Sequence, residues 1–207
     1  MDPIRKQARI AGILYTLDAI IAPISLFYVP NHLAGGFDEG VLRLGLVSEL
    51  FYQTLEIFLA LVVYNLFVGV HRPLARLMAV LCLAPTGLVF ANSLNWAAAL
   101  LTAQSDPNLT QLFLHLHHAG LDVAAIFWGL WLFPFGLLII RSGFIPKAIG
   151  VSSMIGGVGY TLSSIGAIAF PGVELFGQIA PILEIGELPA ILWLLIMGAK
   201  SVSAPAN

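Results

Sequence analysis

The ten residues Phe113–Asp122, FLHLHHAGLD, put three histidines and an aspartate at the head of a long apolar run. Imidazole moves protons or ligates metals near neutral pH, and a nearby carboxylate can orient its second nitrogen. His115, His118 and Asp122 follow i, i+3, i+7 spacing, one face of a helix. His117 lies about 100° from His118 and could face a neighbouring helix. Glu49, Gln53 and Glu56 form a second stripe at i, i+4, i+7. Glu184 and Glu187 share a third face, and Pro181 and Pro189 bracket them, predicting a kinked helix with unpartnered carbonyls. Asp18, Asn92, Asn95 and Tyr160 complete the polar set. No lysine or arginine sits at comparable depth. A carboxylate there must be protonated, paired with histidine, amide or tyrosine, or beside water.

Three kinds of chemistry suit these residues. In acid–base chemistry on a lipid or isoprenoid-like substrate, Glu187 and Glu49 serve as acid and base, assisted by His117, His118 and Asp122. Asp18, Gln53, Glu56, Asn92, Asn95, Tyr160 and Glu184 then line the ligand. In a metal site, His115, His118 and Asp122 join Glu49 or Glu187 around Zn or Fe. That spacing is less specific than an H-E-x-x-H pattern. Glu49 and Glu56, two turns or about 10 Å apart, are too distant to share an ion. In a binding or proton-coupled protein, the same groups hold a small amphipathic ligand, a proton, or a haem with His115 or His117 as axial ligand. The competing structural reading makes Asn92, Asn95 and Gln53 glue between helices, and the remaining groups a hydrogen-bond network for a membrane partner. His115 would then be an ordinary interfacial residue.

The elements that hold these groups follow from composition. Of 207 residues, 59% are hydrophobic and 10% charged, against about 25% charged in soluble domains. A core of this size cannot bury that much apolar surface, so lipid is the expected solvent. The net charge of −2 comes without a basic patch, which argues against a nucleic-acid partner. A single cysteine, Cys82, excludes an internal disulfide and a cysteine-built metal site. Six segments reach the roughly 20 apolar residues a crossing needs: 8–29, 42–70, 74–103, 109–140, 148–169 and 173–199. The first is too long, and too interrupted by Asp18, for a signal-peptide core, so it reads as a membrane helix. Arg5, Lys6, Arg9, Arg72, Arg76, Arg141, Lys147 and Lys200 fall on one side and only Arg43 on the other. Positive charge predicts that both termini are cytoplasmic. The expected architecture is an all-α bundle of six transmembrane helices forming one integral domain in a bacterial cytoplasmic (inner) membrane. Measured from the outer ends, the polar groups fall mostly in the outer half of the bilayer. This predicts one shared polar cavity there.

Read end to end, the chain resembles the six-helix membrane family known as domain of unknown function 4386. The carriers are RKQARIAGILY at the start, RLGLVSEL at 43–50 and LHHAG at 116–120. Others are FWGLWLFPFGLLIIRSGFIPKAIG at 127–150, GGVGYTLSS at 156–164 and IGELPAILWLLIMGAK at 185–200. The resemblance implies an acid at Glu49, a histidine at His117 and a glutamate at Glu187. This chain departs from the pattern at Ser163, where the family often has Asp, and at Trp131, where it often has His. The resemblance implies a fold and a choice of residues, but no activity.

Overall fold

The computed structural model describes residues 3–200. Local chemistry sets the helix starts. Asp38 accepts from the Val41 amide to open α3 (Glu39–Phe67), and His71 Nδ1 accepts from the Leu74 amide to open α4 (Arg72–Thr102). Asp106 accepts from the Asn108 and Leu109 amides ahead of Pro107, opening α5 (Pro107–Leu130). Each cap satisfies amides that a helix start leaves unpaired, and Pro107 gives up an amide that had no helical partner anyway.

Prolines break three of the rods. The first begins as α1 (Pro3–Pro23), passes through a π-turn at Ile24–Tyr28 and ends as α2 (Val29–Leu33). Here the Val29 amide reaches back to the Ile24 carbonyl, a wider turn that carries the helix past Pro30. Residues 30–33, beyond the expected end of the first span, are therefore helical. In the fourth rod Pro134 cannot donate to the Leu130 carbonyl, and the helix divides at Trp131 into α5 and α6 (Leu132–Ser142). After α7 (Lys147–Ala169) comes the last rod, α8 (Glu174–Glu184), a 3₁₀ turn at Ile185–Glu187 and α9 (Leu188–Ile196). Pro189 withholds the amide that the Ile185 carbonyl would have used. The predicted kink lies there, and it contains Glu187.

Six rods are long and apolar enough to cross a membrane: Pro3–Leu33, Glu39–Phe67, Arg72–Thr102, Pro107–Ser142, Lys147–Ala169 and Glu174–Ile196. Among the described residues, every regular element is helical. Neighbours in sequence pack side by side, and α1 also packs on α9, closing the circuit. A Cβ on Gly12 would collide with the Leu194–Leu195 backbone, so glycine permits this closure. At that end the Arg9 guanidinium donates to the Ile196 carbonyl (3.3 Å) and the Lys200 amide to the Phe144 carbonyl (3.1 Å). Phe67 stacks on Phe144 there, which brings the α3–α4 turn to the same end. The basic residues predicted to share a side do gather. The main dry core lies in this half, built from Leu59, Val63, Phe67, Met78, Leu132, Phe135 and Leu194. Large apolar side chains such as Ile20, Phe58, Leu94, Leu101 and Ile182 face outward over the helical surface, as lipid contact requires.

Candidate functional site

The deepest polar pair joins α3 to α5. His117 Nε2 lies 2.9 Å from Glu49 Oε2 and 3.1 Å from Oε1. Glu49 is 0% exposed and His117 2%. Ser93 on α4 donates to Glu49 Oε1 at 2.6 Å and to the Val89 carbonyl at 2.9 Å. Trp96, one turn on, stacks on the imidazole with ring centres 4.1 Å apart. That indole fits because a Cβ on Gly45 would strike it. Asn92 Nδ2 donates to the His117 carbonyl (2.7 Å), and Asn95 donates to Asn92 Oδ1 (2.9 Å). Gly120 leaves the space that Asn92 fills. Three helices therefore fix one carboxylate and one imidazole. Of the three amides expected to join helices, Asn92 does so and sets the height of His117, whereas Asn95 bonds only within α4 and Gln53 bonds to no other helix.

His117 reaches a groove of about 300 Å³ between the α2 end of the first rod, α4 and α5. Val29, Leu33, Trp96, Leu114 and Leu121 supply apolar walls, with Gln111, His115 and His118 at the rim. With Nε2 engaged by Glu49, Nδ1 is the nitrogen the ring can offer to a molecule in the groove.

A second cluster lies around the broken sixth rod. Tyr15 on α1 donates to Glu187 Oε1, and Tyr160 on α7 donates to Oε2 at 2.9 Å. Glu187 is placed by close helix approach. A Cβ on Gly156 would come within 3.1 Å of its amide, and Ser152 donates to the Gly186 carbonyl at 2.6 Å. Glu184, half-buried, has the Ser163 hydroxyl beside it. Trp131 packs against Tyr15 at 5.8 Å between ring centres. Ser163 and Trp131 therefore border this cluster. Between the two clusters α3 carries buried Tyr52, Gln53 and Glu56; Cys82 Sγ on α4 donates to Glu56 at 3.3 Å, and Asp18 on α1 interacts electrostatically with Glu56.

Several expectations need correction. The acid and base cast as partners, Glu49 and Glu187, are held by different residues on different helices. The single shared cavity is instead two clusters joined by a buried polar column, with a groove at one of them. The metal set His115, His118 and Asp122 is not assembled. Among the described residues no three His, Cys, Asp or Glu side chains come together in an arrangement that could hold an ion. The reason is helical phase. His115 and His118 are exposed and Asp122 half-buried, whereas Glu49 faces inward with His117. Asp122 interacts with His118, and its backbone carbonyl accepts from Ser164 at 2.7 Å. His117 Nε2, bound to Glu49, is not free for a haem iron.

Sequence reasoning overlooked Ser93, Trp96, Tyr15, Tyr52, Thr86 and Cys82. A signal existed for most of them. Cys82, Thr86, Val89, Ser93 and Trp96 recur at i, i+4, i+7, i+11, i+14, one stripe of α4.

The fold and these clusters define an all-helical membrane protein of six spans with ionisable groups buried between its helices. Residues 10–198 match the family described as Domain of unknown function (DUF4386), and the chain belongs to that family. An uncharacterized protein of Archaeoglobus fulgidus is 34% identical over 80 residues, 39% of this chain and 47% of that protein. The chain thus matches about half the length of this relative. No solved structure matches the chain.

Proposed function

We propose that the protein is an intramembrane acid–base catalyst acting on an amphipathic, lipid- or isoprenoid-like molecule that enters the groove beside His117. The carrying observation is the Glu49–His117 pair, buried to 0% and 2% exposure yet bordering an apolar groove. His117 is the proton-exchanging group. Glu49 holds the ring by Nε2 and stabilises the imidazolium once Nδ1 takes a proton, the role an orienting carboxylate plays beside a catalytic histidine. Ser93 keeps Glu49 in place, and Trp96 fixes the plane of the ring. The walls suit an apolar chain, while Gln111, His115 and His118 at the rim suit a polar headgroup. Asp122 supports His118. Glu187, with Tyr15 and Tyr160, belongs to a separate cluster with no part in this step.

The protein resides, on this reading, in the cytoplasmic membrane of a bacterial cell, with the groove toward the outer leaflet and both termini in the cytoplasm. Gathering of Arg5, Arg9, Arg72, Arg141, Lys147 and Lys200 at the opposite end supports that direction.

The test incubates nanodisc-embedded protein with a pool of polyprenyl and diacyl lipids and follows the pool by mass spectrometry. Wild type should convert one lipid class. His117→Ala should slow that conversion by about 100-fold or more, the usual contribution of a positioned acid–base group. An unaltered pool, or turnover indifferent to His117, overturns the reading. Retention of a lipid without conversion would instead establish a binding protein.

A further inference from the structure

Two bonded rungs fix the antiparallel register of α3 on α4. Glu49 meets Ser93 at one level, and Glu56 meets Cys82 two turns deeper. By that register Gln53 on α3 falls at about the level of Thr86 on α4. Asp18 enters from α1 and interacts electrostatically with Glu56 and with the Tyr52 hydroxyl. Tyr52, Gln53 and Thr86 are 3%, 1% and 4% exposed. Five atoms in this layer, Asp18 Oδ1, Tyr52 Oη, Gln53 Oε1, Gln53 Nε2 and Thr86 Oγ1, are fully buried and have no hydrogen-bond partner.

We infer that this layer binds a monovalent hard cation of the sodium class, held by the Asp18 and Glu56 carboxylates and by the neutral oxygens of Tyr52, Gln53 and Thr86. Three observations lead there. Buried polar atoms normally find partners, so five together in one layer call for an occupant they can share. Four of the five atoms are oxygens, the donor type hard cations select. Finally, two carboxyls interact here, and among the described residues no lysine, arginine or histidine is recorded acting on either of them. A single positive charge matches this set, because the desolvation cost of an ion rises with the square of its charge and two carboxylates are few for a divalent ion. This site is independent of the His117 chemistry.

The experiment uses the full chain in a zwitterionic detergent at constant ionic strength, replacing choline chloride stepwise by sodium chloride. Thermal melting and equilibrium binding of ²²Na⁺ are both read. Wild type should show a saturable rise in melting temperature and about one bound ion per chain, as linkage requires. Glu56→Gln and Asp18→Asn should abolish binding. Thr86→Val should weaken it by about tenfold, and it guards against the case in which a carboxyl variant fails to fold. The inference is overturned if wild type binds no ²²Na⁺ above the choline blank. It is equally overturned if binding survives in folded Asp18→Asn and Glu56→Gln protein, or if calcium alone shifts the melting temperature.

Discussion

Glu49 sits where three helices converge, and each of its bonds comes from a different neighbour: Ser93 from α4 and His117 from α5. Deleting the Ser93 hydroxyl leaves a buried carboxylate short of a donor. Ser93→Ala should therefore cost about 1.5–3 kcal/mol, the range for a hydrogen bond to a charged group. Thr54→Ala on the exposed face of α3, where the hydroxyl only returns to its own helix, should stay within about 0.5 kcal/mol. Reversible denaturant unfolding of the two variants in detergent separates them. Equal losses would mean that Ser93 is not a working partner of Glu49. Glu49 and His117 were readable as candidates from their types and from the family resemblance. Their pairing was not. The more regular stripe, His115, His118 and Asp122, lies on the face adjoining His117 and points to a different grouping. In a membrane helix polar periodicity marks a face, but a groove rim and a packed interior look alike until the neighbouring helices are placed. The same ambiguity let Glu49 and Glu187 be cast as one acid–base pair.

At the level of helices, the breaks were legible and their consequences only partly so. Pro181 and Pro189 foretold the kink in the sixth rod, because a missing amide is a local fact. The π-turn after Pro23 and the division at Trp131 depend on what surrounds them, and no local signal specified them. The glycines of α7 permit close packing against the last rod. A Cβ on Gly159 would stand 2.7 Å from the Glu184 amide and 2.8 Å from the Ala180 carbonyl, both rigid backbone. Gly159→Ala should cost about 1–3 kcal/mol through overpacking. It should also displace the turn that holds Glu187. Gly87→Ala in α4 meets nothing within 4 Å and should be neutral or stabilise by up to about 1 kcal/mol through helix propensity. Thermal melting of both variants tests the contrast, and a neutral Gly159→Ala would show that α7 and α8 pack less closely than described.

For the whole molecule, six spans and the gathering of basic charge at one end were evident from composition and hydropathy, since lipid punishes any other arrangement. Sidedness is open to a direct test. Cys82 is 1% exposed and supplies little background for thiol labelling. Cysteines placed singly at Gln104 and at Ser142 should separate in intact cells. A membrane-impermeant maleimide should label the first and leave the second untouched until the cells are lysed. The reverse pattern would turn the molecule over and move the groove to the inner leaflet. The closure of α1 against α9 has a further consequence for how the protein is made. Tyr15 and Glu187 lie 172 residues apart, so they meet only after the four intervening spans have been synthesised. Asp18 can find α3 as soon as the second span is inserted, but the Tyr15 hydroxyl must wait in the bilayer without its carboxylate until the latecomer docks.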